Sequence, residues 1–176
     1  MNKLVVALVT TLVLTSGISL ASAELTGNIG GVPYTPAVIK LERGAADKSY
    51  DTYNLLFLSE DAIFPARQIF VKIAMRHGKL PDGKTFRKFP NTETSDQPSV
   101  FEGFPEVQAW SIEEEERGIR MNHVFVKQAA LQVSFGKRTG KTISGTISLT
   151  VPAGPNDEQD VKPSSLIGNF IATLKN

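Results

Sequence analysis

The stretch from Lys141 to Val151 limits the fold more than any other. Ile143, Ile147, Leu149 and Val151 fall on one side of a two-residue period, and Thr142, Ser144, Thr146, Ser148 and Thr150 fall on the other. A helix does not sort residues this way, because its faces repeat about every 3.6 residues. A strand with one buried and one wetted face does. Such a strand cannot stand alone, since its backbone groups need partners and its apolar face needs cover. The sequence therefore predicts an antiparallel sheet with a core on one side.

Other segments carry the same signal. Leu25–Ile29 reads as a strand before the turn Gly30-Gly31, and Pro36–Leu41 as another, centred on Val38 and Ile39. Tyr50–Leu58 is rich in Tyr, Leu and Phe. Gln68–Met75 is a nearly continuous apolar run broken by Lys72, which suits a strand buried on both faces. Val107–Ile112 carries the only tryptophan, Trp110. Val124–Phe135 is expected to pair with Lys141–Val151 across a loop from Gly136 to Gly140. Ser164–Lys175 reads as the last strand. Leu166, Phe170, Ala172 and Leu174 share one face and Ile167 and Ile171 the other, so cover is expected on both.

Turns and breaks complete the picture. Pro81-Asp82-Gly83 is a tight-turn signal, and Pro152–Pro163 a loop. Ser59–Ala62 can start one helical turn that Pro65 limits, since serine suits an N-cap. Ser111-Ile112-Glu113-Glu114 fits a capping box, so Glu113–Arg117 reads as either a short helical turn, which the box slightly favours, or a charged strand end. The expected fold is all-β, mainly antiparallel: a single-domain β-sandwich or barrel-like fold of about eight or nine strands, with at most one or two short helical turns.

A weak internal similarity runs through Leu25-Thr26-Gly27-Asn28-Ile29, Ile143-Ser144-Gly145-Thr146-Ile147 and Leu166-Ile167-Gly168-Asn169-Phe170. Each has a glycine at its centre, which in a strand marks a bulge or a close backbone approach. The copies are too short and too unevenly spaced for a solenoid. They point instead to three strands that bend over one core.

Met1–Ala23 reads as a secretory signal peptide. Lys3 is its positive charge, Leu4–Leu14 its apolar core and Ala21-Ser22-Ala23 its cleavage pattern. The apolar core is shorter than the roughly 20 residues of a membrane-spanning helix. The remainder, 24–176, is expected to form the single β-rich domain, with no membrane span after cleavage. The chain has no cysteine and, beyond Ala23, no Asn-x-Ser/Thr acceptor. An exported chain without disulfides or glycosylation sites suggests a periplasmic or secreted bacterial protein. Lysines and arginines number 19 against 18 acids, and Lys3 is the leader's only charge, so the rest of the chain balances. That balance argues against nucleic acid as a partner.

Catalytic signals are sparse. Without cysteine there is no thiol nucleophile and no thiolate metal site. The two histidines, His77 and His123, lack ligand spacing and read as unrelated surface residues. No Gly-x-Ser-x-Gly elbow occurs. Glu113–Glu116 reads as a solvated face. Asn156–Asp160 lacks the spacing of a calcium loop. Gly136–Thr142 ends like a phosphate loop but is one residue short between its glycines, and a strand follows it. No cofactor or metal is therefore expected.

Binding chemistry remains. Phe101, Phe104, Trp110 and Tyr34 are candidate ligand-binding residues, with the two phenylalanines in the long proline-containing segment from Phe89 to Pro105. Aromatic faces suit sugar rings and peptide side chains. Lys137, Arg138 and Lys141 form a basic hairpin tip suited to an anionic partner. The expectation is an exported, non-enzymatic binding or accessory protein of the bacterial cell envelope, with a protein or an envelope polymer as partner. The alternatives are a carboxylate-based polysaccharide hydrolase or lyase, using Glu102, Glu106, Glu113 or Glu114, and a subunit of a surface assembly that pairs through its first or last strand.

Overall fold

The computed structural model describes residues 24–46, 50–62, 65–90, 106–115, 118–125, 129–155 and 160–175. Its strands are β1 (Thr26–Ile29), β2 (Val32–Tyr34), β3 (Val38–Ala46), β4 (Tyr50–Leu58), β5 (Arg67–Arg76), β6 (Thr85–Lys88), β7 (Glu106–Glu115), β8 (Gly118–Phe125), β9 (Ala130–Thr139), β10 (Thr142–Val151), β11 (Gly154–Pro155), β12 (Asp160–Val161) and β13 (Ser164–Lys175). No helix occurs among the described residues.

One sheet holds all but the short β11–β12 pair. Its order is β6-β9-β10-β13-β3-β4-β5-β7-β8, and β1 joins it through β13 and carries β2. The pairings are antiparallel except β13–β3, which is parallel and short, with Thr173, Leu174 and Lys175 opposite Lys40, Leu41 and Glu42. The sheet curls into a half-barrel. The core lies on one side. Tyr53, Leu55 and Phe57 of β4 meet Ile69, Val71, Ile73 and Met75 of β5, and across the interior lie Val133, Phe135, Leu149, Leu166 and Phe170. A run of edge-to-face rings crosses that interior from β6 to β4. Phe86–Phe135, Phe135–Phe170 and Phe170–Phe57 have centroids 6.0, 5.8 and 5.6 Å apart. Each such pair adds about 0.5–1.5 kcal/mol beyond area burial.

The alternation of β10 is as expected. Ile143, Ile147, Leu149 and Val151 are buried, and Ser144, Thr146, Ser148 and Thr150 are exposed. Strands β4 and β13 have the expected limits. Elsewhere the structure differs. Ser59–Ala62 is a bend, because Glu60 uses its carboxylate to accept the Ala66 amide at 2.6 Å and Ser59 Oγ accepts the Arg67 amide at 3.1 Å. These side chains close the loop back onto β5 instead of capping a helix. Glu113–Glu115 belongs to β7, where the ladder to β8 satisfies its backbone, rather than to a helical turn.

Val124–Phe135 is two strands, since β8 ends at Phe125 and β9 begins at Ala130. The β9–β10 turn is only Gly140-Lys141, because β9 runs on to Thr139 and Gly136 lies inside it. Val32–Tyr34 is a strand the sequence did not signal. β5 is fully buried on one face only, with Gln68, Phe70 and Lys72 of the other face partly exposed. The outer face of β13 is uncovered, with Ile167 54% and Ile171 68% exposed. Among the described residues, no helix is long and apolar enough to cross a membrane, which says nothing of strands.

Candidate functional site

The registers gather one set of chain turns at one end of the sheet. Thr142 of β10 lies opposite Thr173 of β13, Thr173 opposite Lys40 of β3, Ala46 opposite Asp51, and Tyr50 opposite Arg76. At this end, therefore, lie the β9–β10 hairpin tip, the last residues of β13, the β3–β4 connection and the segment from His77 to Lys84. That segment links β5 to β6, which sit far apart in the sheet order. Its Gly83 amide donates to Gly136 O at 3.1 Å, and Lys84 O accepts from the Phe135 amide at 2.8 Å. It thus connects the β5 side to the hairpin side across the end of the half-barrel.

A buried carboxylate fastens this end. Asp51 shares strand parity with Tyr53, Leu55 and Phe57 and is fully buried. Its Oδ1 accepts from Arg43 Nη2 at 2.8 Å and lies 3.0 Å from His77 Nδ1, and its Oδ2 accepts the Gly78 amide at 2.8 Å. The Arg43 hydrogen bond, followed by that of Gly78, holds the Asp51 carboxyl below the ordinary carboxylate range. Arg43 and His77 are themselves largely exposed, at 48% and 63%. One carboxylate thus ties β3, β4 and the β5–β6 turn together while presenting a guanidinium and an imidazole at the surface.

Around this anchor the surface is basic. Lys141 is exposed in the β9–β10 turn, and Lys137 and Arg138 are exposed on the last residues of β9 that lead into it. Arg138 Nε donates to Gly140 O at 2.9 Å, so its side chain also braces the turn. The Leu174 amide donates to Lys141 O at 2.9 Å, which brings the exposed Lys175 beside the tip. Lys79 is exposed on the β5–β6 segment. Acids here are few among the described residues. Asp51 is buried and paired, Glu42 is in register with Lys175, and Asp82 lies in the β5–β6 turn. A chain with near-zero net charge has thus concentrated positive charge at one end of its sheet.

The aromatic candidates fall elsewhere. Tyr34 is in the core, 4% exposed, with its hydroxyl donating to Phe57 O at 2.6 Å. Burial is the main cause that pushes its phenol well above the ordinary value of 10.0. Replacing Tyr34 with Phe deprives the Phe57 carbonyl of that donor and should cost about 1–3 kcal/mol in denaturant unfolding. The wild-type phenol should also resist titration at pH values where free tyrosine ionises. Stability should then fall as pH rises above about 10, because there only the unfolded chain readily releases the proton. Trp110 pairs with Gln68 on one side and His123 on the other, away from Tyr34 in the sheet order. Phe101 and Phe104 lie outside the described residues, as do residues 1–23, where a signal peptide is expected, and most of Asn156–Asp160.

Three of the four glutamate candidates, Glu106, Glu113 and Glu114, share strand β7. Glu106 and Glu113 are seven positions apart on one strand, about 24 Å at ~3.4 Å per residue. A glycosidase pair needs roughly 5–9.5 Å. Glu102 lies outside the described residues. No group of three or more potential metal-ligating side chains occurs among the described residues.

Sequence reasoning missed the Asp51 cluster. Its signal was an acid at an inward position of a half-buried strand, where a charge needs a partner. Comparison with known proteins adds no assignment, because no protein family, no curated protein and no solved structure matches the chain.

Proposed function

We propose that this is an exported, non-enzymatic, barrel-like β-protein of the bacterial cell envelope that binds an anionic polymer at the basic end of its sheet. The observation that carries this reading is the clustering of Lys79, His77, Lys137, Arg138, Lys141 and Lys175 on adjoining turns, all exposed. Positive charge gathered on a braced surface raises the local concentration of a polyanion and speeds its encounter. Several turns presenting charge side by side suit a polymer better than a small ion, because a polymer engages many weak sites at once. The Asp51 anchor supports the reading by holding the β5–β6 segment against the end of the sheet. The signal-like leader supports an envelope location.

Retention on immobilised heparin and on polygalacturonate, with neutral dextran as control, tests it. The native chain should be retained on the polyanions and elute with rising salt, since exposed charges are screened. Reversing Lys137, Arg138 and Lys141 to Glu should weaken binding about tenfold to hundredfold, from three exposed ion pairs at up to about 1 kcal/mol each. Lys162→Glu, an exposed lysine beyond the described β12 strand, should bind as the native chain does. Unchanged retention of the triple variant would remove the rim from the reading. Absence of retention of the native chain on either polyanion would overturn the reading itself.

A further inference from the structure

We propose that the polymer is an acidic polysaccharide, and that it runs from the basic end along the outer face of β9, β10 and β13; this rests on the reading of the basic end as a polyanion site. The charge of that face is the first observation. Strands β1, β6, β9, β10 and β13 contain no Asp or Glu, in a chain that has 18. Strand β7 alone contains four glutamates. The exposed charges of the five strands are Arg87, Lys137, Arg138 and Lys175, all positive. Lys137, Arg138 and Lys175 belong to the basic end. Arg87 lies in the row of Gln132 and Ser148, six positions along β10 from Thr142, roughly 20 Å away. A polyanion laid along this face therefore meets cations at both places and no carboxylate from these strands.

The side chains between those cations select the polymer. β10 presents Ser144, Thr146, Ser148 and Thr150, all exposed. Beside them β13 presents Ile167, Asn169 and Ile171, with the isoleucines 54% and 68% exposed. The registers set Ser144 against Ile171, Thr146 against Asn169 and Ser148 against Ile167. Hydroxyls and a side-chain amide both donate and accept, as sugar hydroxyls do. Each isoleucine can cover the C–H face of a sugar ring and remove apolar surface from water. A polysaccharide with an acid on its sugar units carries all three features along one chain. An acidic peptide adds to a sheet through backbone bonds at an edge, and β10 is already paired on both sides. A polyphosphate has no apolar face for the isoleucines and no sugar hydroxyls for the Ser/Thr rows.

The test compares polygalacturonate with polyphosphate, titrated into the full chain by calorimetry at one ionic strength. A variant of the outer face carries Thr146→Ala, Asn169→Ala and Ile171→Ser, which change no charge. It should bind polygalacturonate about tenfold more weakly than the native chain and polyphosphate as the native chain does. The triple variant of the hairpin tip should lose affinity for both. Thr146→Glu alone should also weaken polygalacturonate, and it serves if the neutral variant melts early. Native-like binding of polygalacturonate by both outer-face variants would overturn this proposal and leave the basic end standing. Equal losses of the neutral variant on the two polymers would also overturn it, since the face would then not distinguish a sugar. Dimers of the native chain that Ile171→Ser dissolves would overturn it as well, by giving the face to a second copy. A native chain that binds neither heparin nor polygalacturonate would instead remove the polyanion reading on which it rests.

Discussion

Replacing Gly145 with alanine is expected to cost about 3 kcal/mol or more, at the upper end of what overpacking does. A Cβ there would lie 2.4 Å from Phe170 Cζ and 2.5 Å from the Ser134 carbonyl oxygen. The ring belongs to the chain of phenylalanines that crosses the core, and the carbonyl is in the paired strand β9. Neither can retreat without breaking other contacts. The glycine sits where the β9–β10 register shifts, between Ile143 and Gly145, so the strand bends there. Unfolding in urea, followed by circular dichroism, reads the loss. Adding Phe170→Leu should recover part of it at most, since the ring clash goes but the carbonyl clash stays. A midpoint equal to that of the native chain would show that the sheet yields at this point, against the geometry. Gly27→Ala should be at least as damaging, because the added Cβ would lie 2.0 Å from the backbone oxygen of Ser165.

Asp51→Asn should give the second large effect. The amide is close to the same size but cannot carry the charge that Arg43 and the Gly78 amide address. It also brings two N–H groups toward groups that donate, leaving buried polar atoms mismatched. The variant should unfold at a clearly lower temperature and lose the acid dependence this carboxylate supplies. The native-state value of Asp51 is lowered from the ordinary 3.8. Its stabilisation is therefore complete above the ordinary carboxylate range and is lost as pH falls through the lower native value. Thermal unfolding between pH 7 and pH 2 should show a steeper acid-side decline in the native chain than in the variant. Parallel curves would mean that the Asp51 charge contributes nothing to folding.

Much of the sheet was legible because single residues announced their faces. Thr142–Val151 could only be a half-wetted strand, and its buried and exposed sides follow its letters. The three glycine-centred segments also held real information. They lie in β1, β10 and β13, and β13 pairs with both of the others. Gly27 and Gly145 sit at close approaches, and Gly168 has a φ of 141°. What local pattern could not convey was order. β13 comes last in sequence yet lies inside the sheet, so the expectation of an edge at the last strand fails. The helical turns failed because caps and strand ends use the same residues, and tertiary pairing decided between them. The basic tip was visible in Lys137, Arg138 and Lys141. Its extension to Lys175 and to the segment that carries Lys79 was not, because Leu174 and Gly83 reach the hairpin only through pairings remote in sequence.

The position of β13 governs when this protein can fold. Without it the sheet falls into two pieces, β6-β9-β10 and β3-β4-β5-β7-β8, with β1 and β2 attached to neither. The strand that unites them is the last of the described strands in chain order, and its parallel partner Lys40–Glu42 lies in the third. Contacts that join the two ends of a chain make folding slow, since a large loop must close before the pairing is rewarded. A nascent chain still missing its final strand has no complete sheet to form. Closure of the two pieces into one sheet therefore waits on β13, a pairing remote in sequence from its partner β3.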